Sequence, residues 1–273
     1  MTPRSSWLHR DTTLADAFER RAARADQLAA GATTAAPLTF AAGLYRAQAK
    51  VAEALARSAP TGSLADDLPA LLGALDGIVR YARDRGPSGL SADADGFRGE
   101  SRDGKTERLV TWWLGARAGR IDYLARALLR PYGESIAAAG ITPEAPSAKL
   151  QVVGSCPRCG GPPWIGWRRS GSGDEAPQRF VGCGICGTET VLSRIACAAC
   201  GQTEPTKLAV FQTERHAGVR IEACDVCLRY VKSIDLTLDG RAVPEIDDLA
   251  SLSLDLWAGE QGYERLEPSL AGV

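Results

Sequence analysis

The sequence contains only two histidines, His9 and His216, in 273 residues. A lone histidine more often serves structure than catalysis, and no serine, histidine and acid set can be assembled for nucleophilic chemistry. There is no run of about 18 apolar residues, so no membrane-spanning helix is expected. An excess of charge of one sign is also missing. The net charge is −1 and the isoelectric point near 6.2, which leaves no global positive field for nucleic acid. No glycine-rich phosphate loop follows a strand and opens a helix, and residues 1–10 lack the apolar core of a secretory signal. A cytoplasmic location is therefore expected.

The rest is ordinary globular composition, 45% hydrophobic and 24% charged, which argues against disorder. The first half reads as helical. Leu14, Phe18, Ala22, Ala25 and Leu28 recur at three- and four-residue steps. The same holds for Phe40, Leu44, Ala47, Val51 and Leu55 behind Pro37, and for Leu64, Leu68, Leu71, Leu75 and Ile78 behind a capping box of Ser63 and Asp66. Asp84–Gly104 reads as a long Gly-, Asp- and Ser-rich loop, either functional or a solvated excursion. A further helix buries Leu109, Trp112, Trp113, Leu124 and Leu128, with a break near Gly119 and an end at Arg130-Pro131. Thr142–Pro146 reads as a linker.

After residue 150 the pattern changes to short β-like runs: Leu150–Val153, Trp164–Trp167, Val191–Ile195, Leu208–Phe211 and Val219–Ala223. Val243–Tyr263 returns to helical spacing through Ile246, Leu249, Leu252 and Leu256. Arg168-Arg169 beside Trp164 and Trp167 reads as a solvated hairpin in preference to a nucleic-acid surface, because residues 151–273 hold 12 basic against 16 acidic side chains.

All eight cysteines lie in that half, in four Cys-x-x-Cys pairs: Cys156/Cys159, Cys183/Cys186, Cys197/Cys200 and Cys224/Cys227. Twenty-three residues separate the first pair from the second, and again the third from the fourth, so one module is used twice at an offset of 41. Two intervening residues let a tight turn aim both sulfurs at one point, and two such turns supply a tetrahedral four-sulfur site. Equal spacing matches the first pair to the second and the third to the fourth. Gly160, Gly187 and Gly201 follow three of the pairs, where a turn needs positive φ; Leu228 follows the fourth. A thioredoxin-like dithiol needs only one pair, and structural disulfides do not suit a reducing compartment. Four-sulfur sites leave no open coordination position, which favours a structural metal over a catalytic one; sulfur ligands alone do not separate zinc from iron.

The segments around these pairs resemble the formate dehydrogenase accessory protein family. The resemblance rests on Leu150-Gln151-Val152 leading into Cys156–Pro163, on Arg179–Cys186, on Glu222–Cys227 with Tyr230 and Lys232, on Val243–Leu252, and on Glu260-Gln261-Gly262-Tyr263. It covers about 115 residues; the tail 264–273 departs from it. It implies a cytoplasmic, non-enzymatic assembly factor or chaperone acting on a formate dehydrogenase catalytic subunit. It also implies rubredoxin-like modules holding iron in two mononuclear four-cysteine sites, with zinc as the alternative. A nucleic-acid-binding zinc ribbon and a small electron-transfer protein are the competing classes, and self-association is left open. The expected architecture is α+β: a helical domain (1–148), two rubredoxin- or zinc-ribbon-like β modules (149–192 and 193–242), and a C-terminal helix with its tail (243–273).

Overall fold

The computed structural model describes residues 13–32, 35–58, 60–115, 122–144, 152–170 and 176–270. The chain divides into two units. One holds residues 1–149 together with the turn tips 158–160 and 185–187; the other holds 150–157, 161–184 and 188–273.

Among the described residues, six helices form the first unit: α1 Leu14–Ala29, α2 Ala36–Leu55, α3 Leu64–Arg85, α4 Ser88–Gly99, α5 Arg102–Trp113 and α6 Tyr123–Ala138. The apolar stripes read from the sequence face inward, with Phe18, Ala22, Val51, Leu55, Leu68, Ile78, Leu109 and Leu128 all buried. The capping box forms at α1, where Thr13 Oγ1 accepts from the Asp16 N–H and Asp16 accepts from the Thr13 N–H. At α3 the Ser63 side chain makes no cap. Asp67 takes the preceding amides instead, accepting from Thr61 N and Gly62 N at 3.0 and 3.3 Å.

Two expectations fail here. The stretch 84–104 is helix rather than loop, because α3 runs to Arg85 and α4 and α5 follow almost without a break. Gly89, Gly96 and Gly99 dilute α4, and only Ala94 and Phe97 of its side chains are buried. Tertiary contacts hold it: the α5 guanidinium of Arg108 bonds Asp93 at 2.8 Å and reaches Glu100 at 3.4 Å, and also bonds Asp122 at 2.8 Å. Nor does Pro131 end its helix; α6 continues to Ala138. A proline removes the amide that would bond the carbonyl four residues back. That carbonyl, Ala127 O, accepts at 2.7 Å from the side chain of Gln48, which is itself buried. The predicted break at Gly119 lies outside the described residues.

The second unit is built on one seven-stranded sheet. Its strands are β1 Pro163–Arg169, β2 Gln178–Cys183, β3 Glu189–Leu192, β4 Leu208–Gln212, β5 Val219–Cys224, β6 Arg229–Asp235 and β7 Glu264–Arg265. The order is β3-β2-β1-β6-β5-β4, with β7 also against β6. Pairing is antiparallel except for β1 with β6 and β6 with β7. Strands of both cysteine-bearing segments thus share one sheet. The run predicted at Leu150–Val153 is not a strand where it is described, at Val152 and Val153.

The C-terminal stretch is two helices, α7 Pro244–Ala250 and α8 Leu252–Glu260, with the break at Ser251. The break rotates the pattern: Leu254, Asp255 and Ala258 turn inward, and Leu256 is exposed. Alternation along β6 puts Tyr230, Lys232 and Ile234 on the face toward these helices and Val231 and Ser233 on the other. Trp167 and Phe180, directly opposite across β1 and β2, stack at 6.2 Å on the helix-facing side.

Candidate metal centres

The four Cys-x-x-Cys turns share one local geometry. The amide of the first cysteine bonds the carbonyl five residues on in three of them: Cys156 to Gly161 (2.9 Å), Cys183 to Thr188 (3.0 Å) and Cys197 to Gln202 (2.8 Å). In the fourth, Cys224 pairs with Arg229 across β5 and β6, the same spacing. Closing so short a loop requires a left-handed residue after the second cysteine. Gly160, Gly187 and Gly201 take φ of 68°, 68° and 77°, as their type allows. Leu228 takes φ of 55° as well, alone among non-glycine residues described, a conformation that costs a side-chain-bearing residue about 1–2 kcal/mol. The turn geometry is thus kept where its sequence marker is lost.

The turns bring the sulfurs together in the pairing that the equal spacing implies. Cys156, Cys159, Cys183 and Cys186 form one group and Cys197, Cys200, Cys224 and Cys227 the other, with the sulfurs of each group within 4.8 Å of one another. No disulfide joins any of the eight. Cys159 and Cys186 lie 3.4 Å apart, and Cys197–Cys227 and Cys200–Cys224 each 3.7 Å. A disulfide needs about 2.05 Å. The edge of a tetrahedron with metal–sulfur bonds of about 2.3 Å is about 3.8 Å. The donor sets therefore fit a four-coordinate thiophilic ion, and each group could hold one.

The two groups differ in access. All four cysteines of the first are buried, whereas Cys200 is exposed and Cys227 half-buried in the second. Backbone amides point at the second group: Ala199 N donates to Cys197 Sγ at 3.3 Å, and the Gln202 and Arg229 amides favour the thiolates of Cys200 and Cys227. Burial nevertheless pushes the Cys227 thiol up to about 12, with the neighbouring Cys197 adding to it. A metal ion entering this group must displace protons, so its binding strengthens as pH rises.

Of the remaining candidates, His216 joins neither group. Its Nε2 lies 3.1 Å from Ser253 Oγ, and burial lowers its pKa. His9 lies outside the described residues. Trp164 and Trp167 are buried, and Arg169 makes a two-point ion pair with Glu189 while lying over the Phe180 ring, so these side chains are engaged in packing. No described helix is long and apolar enough to cross a membrane.

Comparison with known proteins places these groups in context. A family model described as the FdhE C-terminal domain matches residues 195–271. The protein FdhE homolog of Pseudomonas aeruginosa is 31% identical over 287 residues, covering 93% of this chain and 89% of that one. The homolog of Pseudomonas putida is 30% identical over 284 residues, covering 94% and 87%. The chain belongs to the FdhE family. The crystal structure of the FdhE protein from Pseudomonas aeruginosa superposes with a TM-score of 0.71 at 26% identity, covering 96% of this chain and 97% of that one.

The segments that carry the FdhE resemblance beyond the cysteines meet in a buried charge network. Lys232 is wholly enclosed. Its ammonium donates to the Asp248 and Ser251 carbonyls at 2.8 and 3.1 Å and pairs with the carboxylates of Asp248 and Asp255. Arg265 bonds the same two acids at 2.8 and 2.9 Å, and Tyr230 donates to Asp255 at 2.9 Å. Two cations face two anions, so the group is formally neutral. Closer to the second sulfur group, the Tyr263 hydroxyl donates to Asp225 at 2.6 Å, beside Cys224. Tyr230, Lys232, Asp248 and Tyr263 were visible in the sequence as family-like residues. Asp255 and Arg265 carried no signal there, because pairing across a sheet and two helices leaves no fixed spacing.

Proposed function

We propose that this protein is an accessory factor for a formate dehydrogenase, a cytoplasmic non-enzyme that acts on the catalytic subunit during maturation. The observation that carries this reading is membership of the FdhE family together with two closed four-sulfur groups. Sites of that kind leave no open coordination position for substrate. In the same reading Cys156, Cys159, Cys183 and Cys186 hold one iron, and Cys197, Cys200, Cys224 and Cys227 a second, with zinc as the alternative. Each ion supplies folding energy to its module, 149–192 or 193–242, and iron adds the option of a one-electron change at a sulfur-ligated centre.

The test is co-purification from cells grown with formate. A formate dehydrogenase catalytic subunit should be retained across a salt titration, since net charge near zero gives an interface little long-range attraction to screen. Deleting the gene should lower formate oxidation without abolishing synthesis of the subunit. Retention of RNA or DNA alone, lost between low and moderate salt, would overturn the reading.

A further inference from the structure

The geometry points to a phosphate-binding pocket on the sheet face opposite α7 and α8, within the second unit. Strand pairing places Arg168 on β1 directly across from Arg179 on β2, and Glu222 on β5 across from Val231 on β6, all on that face. A pocket opens there. Arg168, Arg179, Arg194 and Arg229 line it, against a single acid, Glu222. Leaving the cysteines aside, this is a formal excess of three positive charges in the half of the chain that is otherwise acidic.

These arginines do not have equivalent duties. Arg179 is consumed by structure: it pairs with Glu222 at 2.6 Å and donates to the carbonyls of Ser193 and Ala196. Among the described residues Arg229 has only a long contact, 3.9 Å, to Glu264, whose side chain is 78% exposed. Arg194 is exposed and makes no ion pair among the described residues. Arg168 is half-buried, and its Nε is shut off from solvent with no hydrogen-bond partner. Glu222 Oε1 is likewise buried and unpartnered. A donor and an acceptor left unmade are each costly, and the two residues that carry them line the same pocket.

A phosphate group fits the charge and donors of that lining. Its oxygens accept from planar guanidinium forks, here arriving from β1, from the segment after β3 and from β6. A phosphate hydroxyl, or a hydroxyl of the organic part, donates to Glu222 Oε1. A carboxylate matches less well, since it brings one charge and no donor. The localised charge suits a small phosphorylated molecule. Cys197 and Cys224 also line the pocket, so bound phosphate would lie beside the second sulfur group.

The experiment is calorimetric titration of metal-loaded, full-length protein with inorganic phosphate at constant ionic strength, with acetate as the parallel arm. Saturable one-to-one phosphate binding is expected, with acetate at least about tenfold weaker. Arg168→Gln and Arg194→Gln should each weaken it by about tenfold or more, while metal content and melting temperature, measured on the same samples, stay at wild-type values. Arg168→Lys, which keeps the charge and loses the fork, should fall between. Three results would overturn the proposal: no saturable phosphate signal, acetate binding as tightly as phosphate, or arginine variants that lose metal while phosphate affinity is unchanged. The last would assign these arginines to balancing the sulfur group's charge.

Discussion

Lys232→Met tests whether the buried charge network holds the second unit together. Methionine is unbranched and of similar length, so the space stays filled and the cavity term is small. What is lost is the charge. Asp248 and Asp255 are left with Arg265 alone, and the Asp248 and Ser251 carbonyls lose the donor they share. Removing one partner from a buried ion group costs about 3–5 kcal/mol, because the remaining charge stays desolvated. Denaturant unfolding of metal-loaded protein, followed by tryptophan fluorescence, reads this directly, since Trp164, Trp167 and Trp257 lie in this unit. Asp255→Asn in the same background restores neutrality. The double variant should therefore recover about 1–3 kcal/mol relative to the sum of the single costs. A Lys232→Met cost below about 1 kcal/mol, or strict additivity in the double variant, would refute the reasoning.

Acid should weaken the same network. Burial alone would raise Asp248, but Arg265 and Lys232 outweigh it and hold the carboxyl below its ordinary value. A depressed folded pKa gives stability that is present above the unfolded value of about 4 and is lost as pH falls through the folded one. Unfolding midpoints of wild type should drop below about pH 4 more steeply than those of Asp248→Asn; parallel curves would contradict this. A chelator should strip the second sulfur group before the first, because Cys200 is exposed and the first group is fully buried; time-resolved metal release with a single phase would oppose it. Gly201→Ala should cost about 1–2 kcal/mol for its positive φ, with added crowding because a Cβ there meets Val153 Cγ2 at 2.9 Å. An unchanged melting temperature would show that the turn can relax.

The sequence made some of this architecture legible, for identifiable physical reasons. The sulfur groups could be read because a Cys-x-x-Cys turn is local, and a repeated 23-residue spacing carries the pairing. Helices α1, α2 and α3 could be read because their apolar stripes persist over several turns. Helix α4 could not, since its burial is limited to Ala94 and Phe97 and its stability is borrowed from Arg108 on α5. Pro131 misled because its missing hydrogen bond is replaced by Gln48, 83 positions earlier in the chain. Strand β6 was missed because Tyr230 and Lys232 are polar residues buried by partners on α7 and α8. Leu228 shows the opposite error: a missing glycine did not mean a different turn.

The central claim is that the chain carries two metal ions, one in each four-cysteine group. Elemental analysis of protein purified without oxygen, per mole of chain, tests it most directly when wild type is measured beside Cys159→Ser and Cys200→Ser. The account predicts two ions for wild type, one for each single variant and none for the double. A visible spectrum on the same samples, before and after dithionite, identifies the metal as iron or zinc. A single ion in wild type, lost on substitution in either group, would contradict the account.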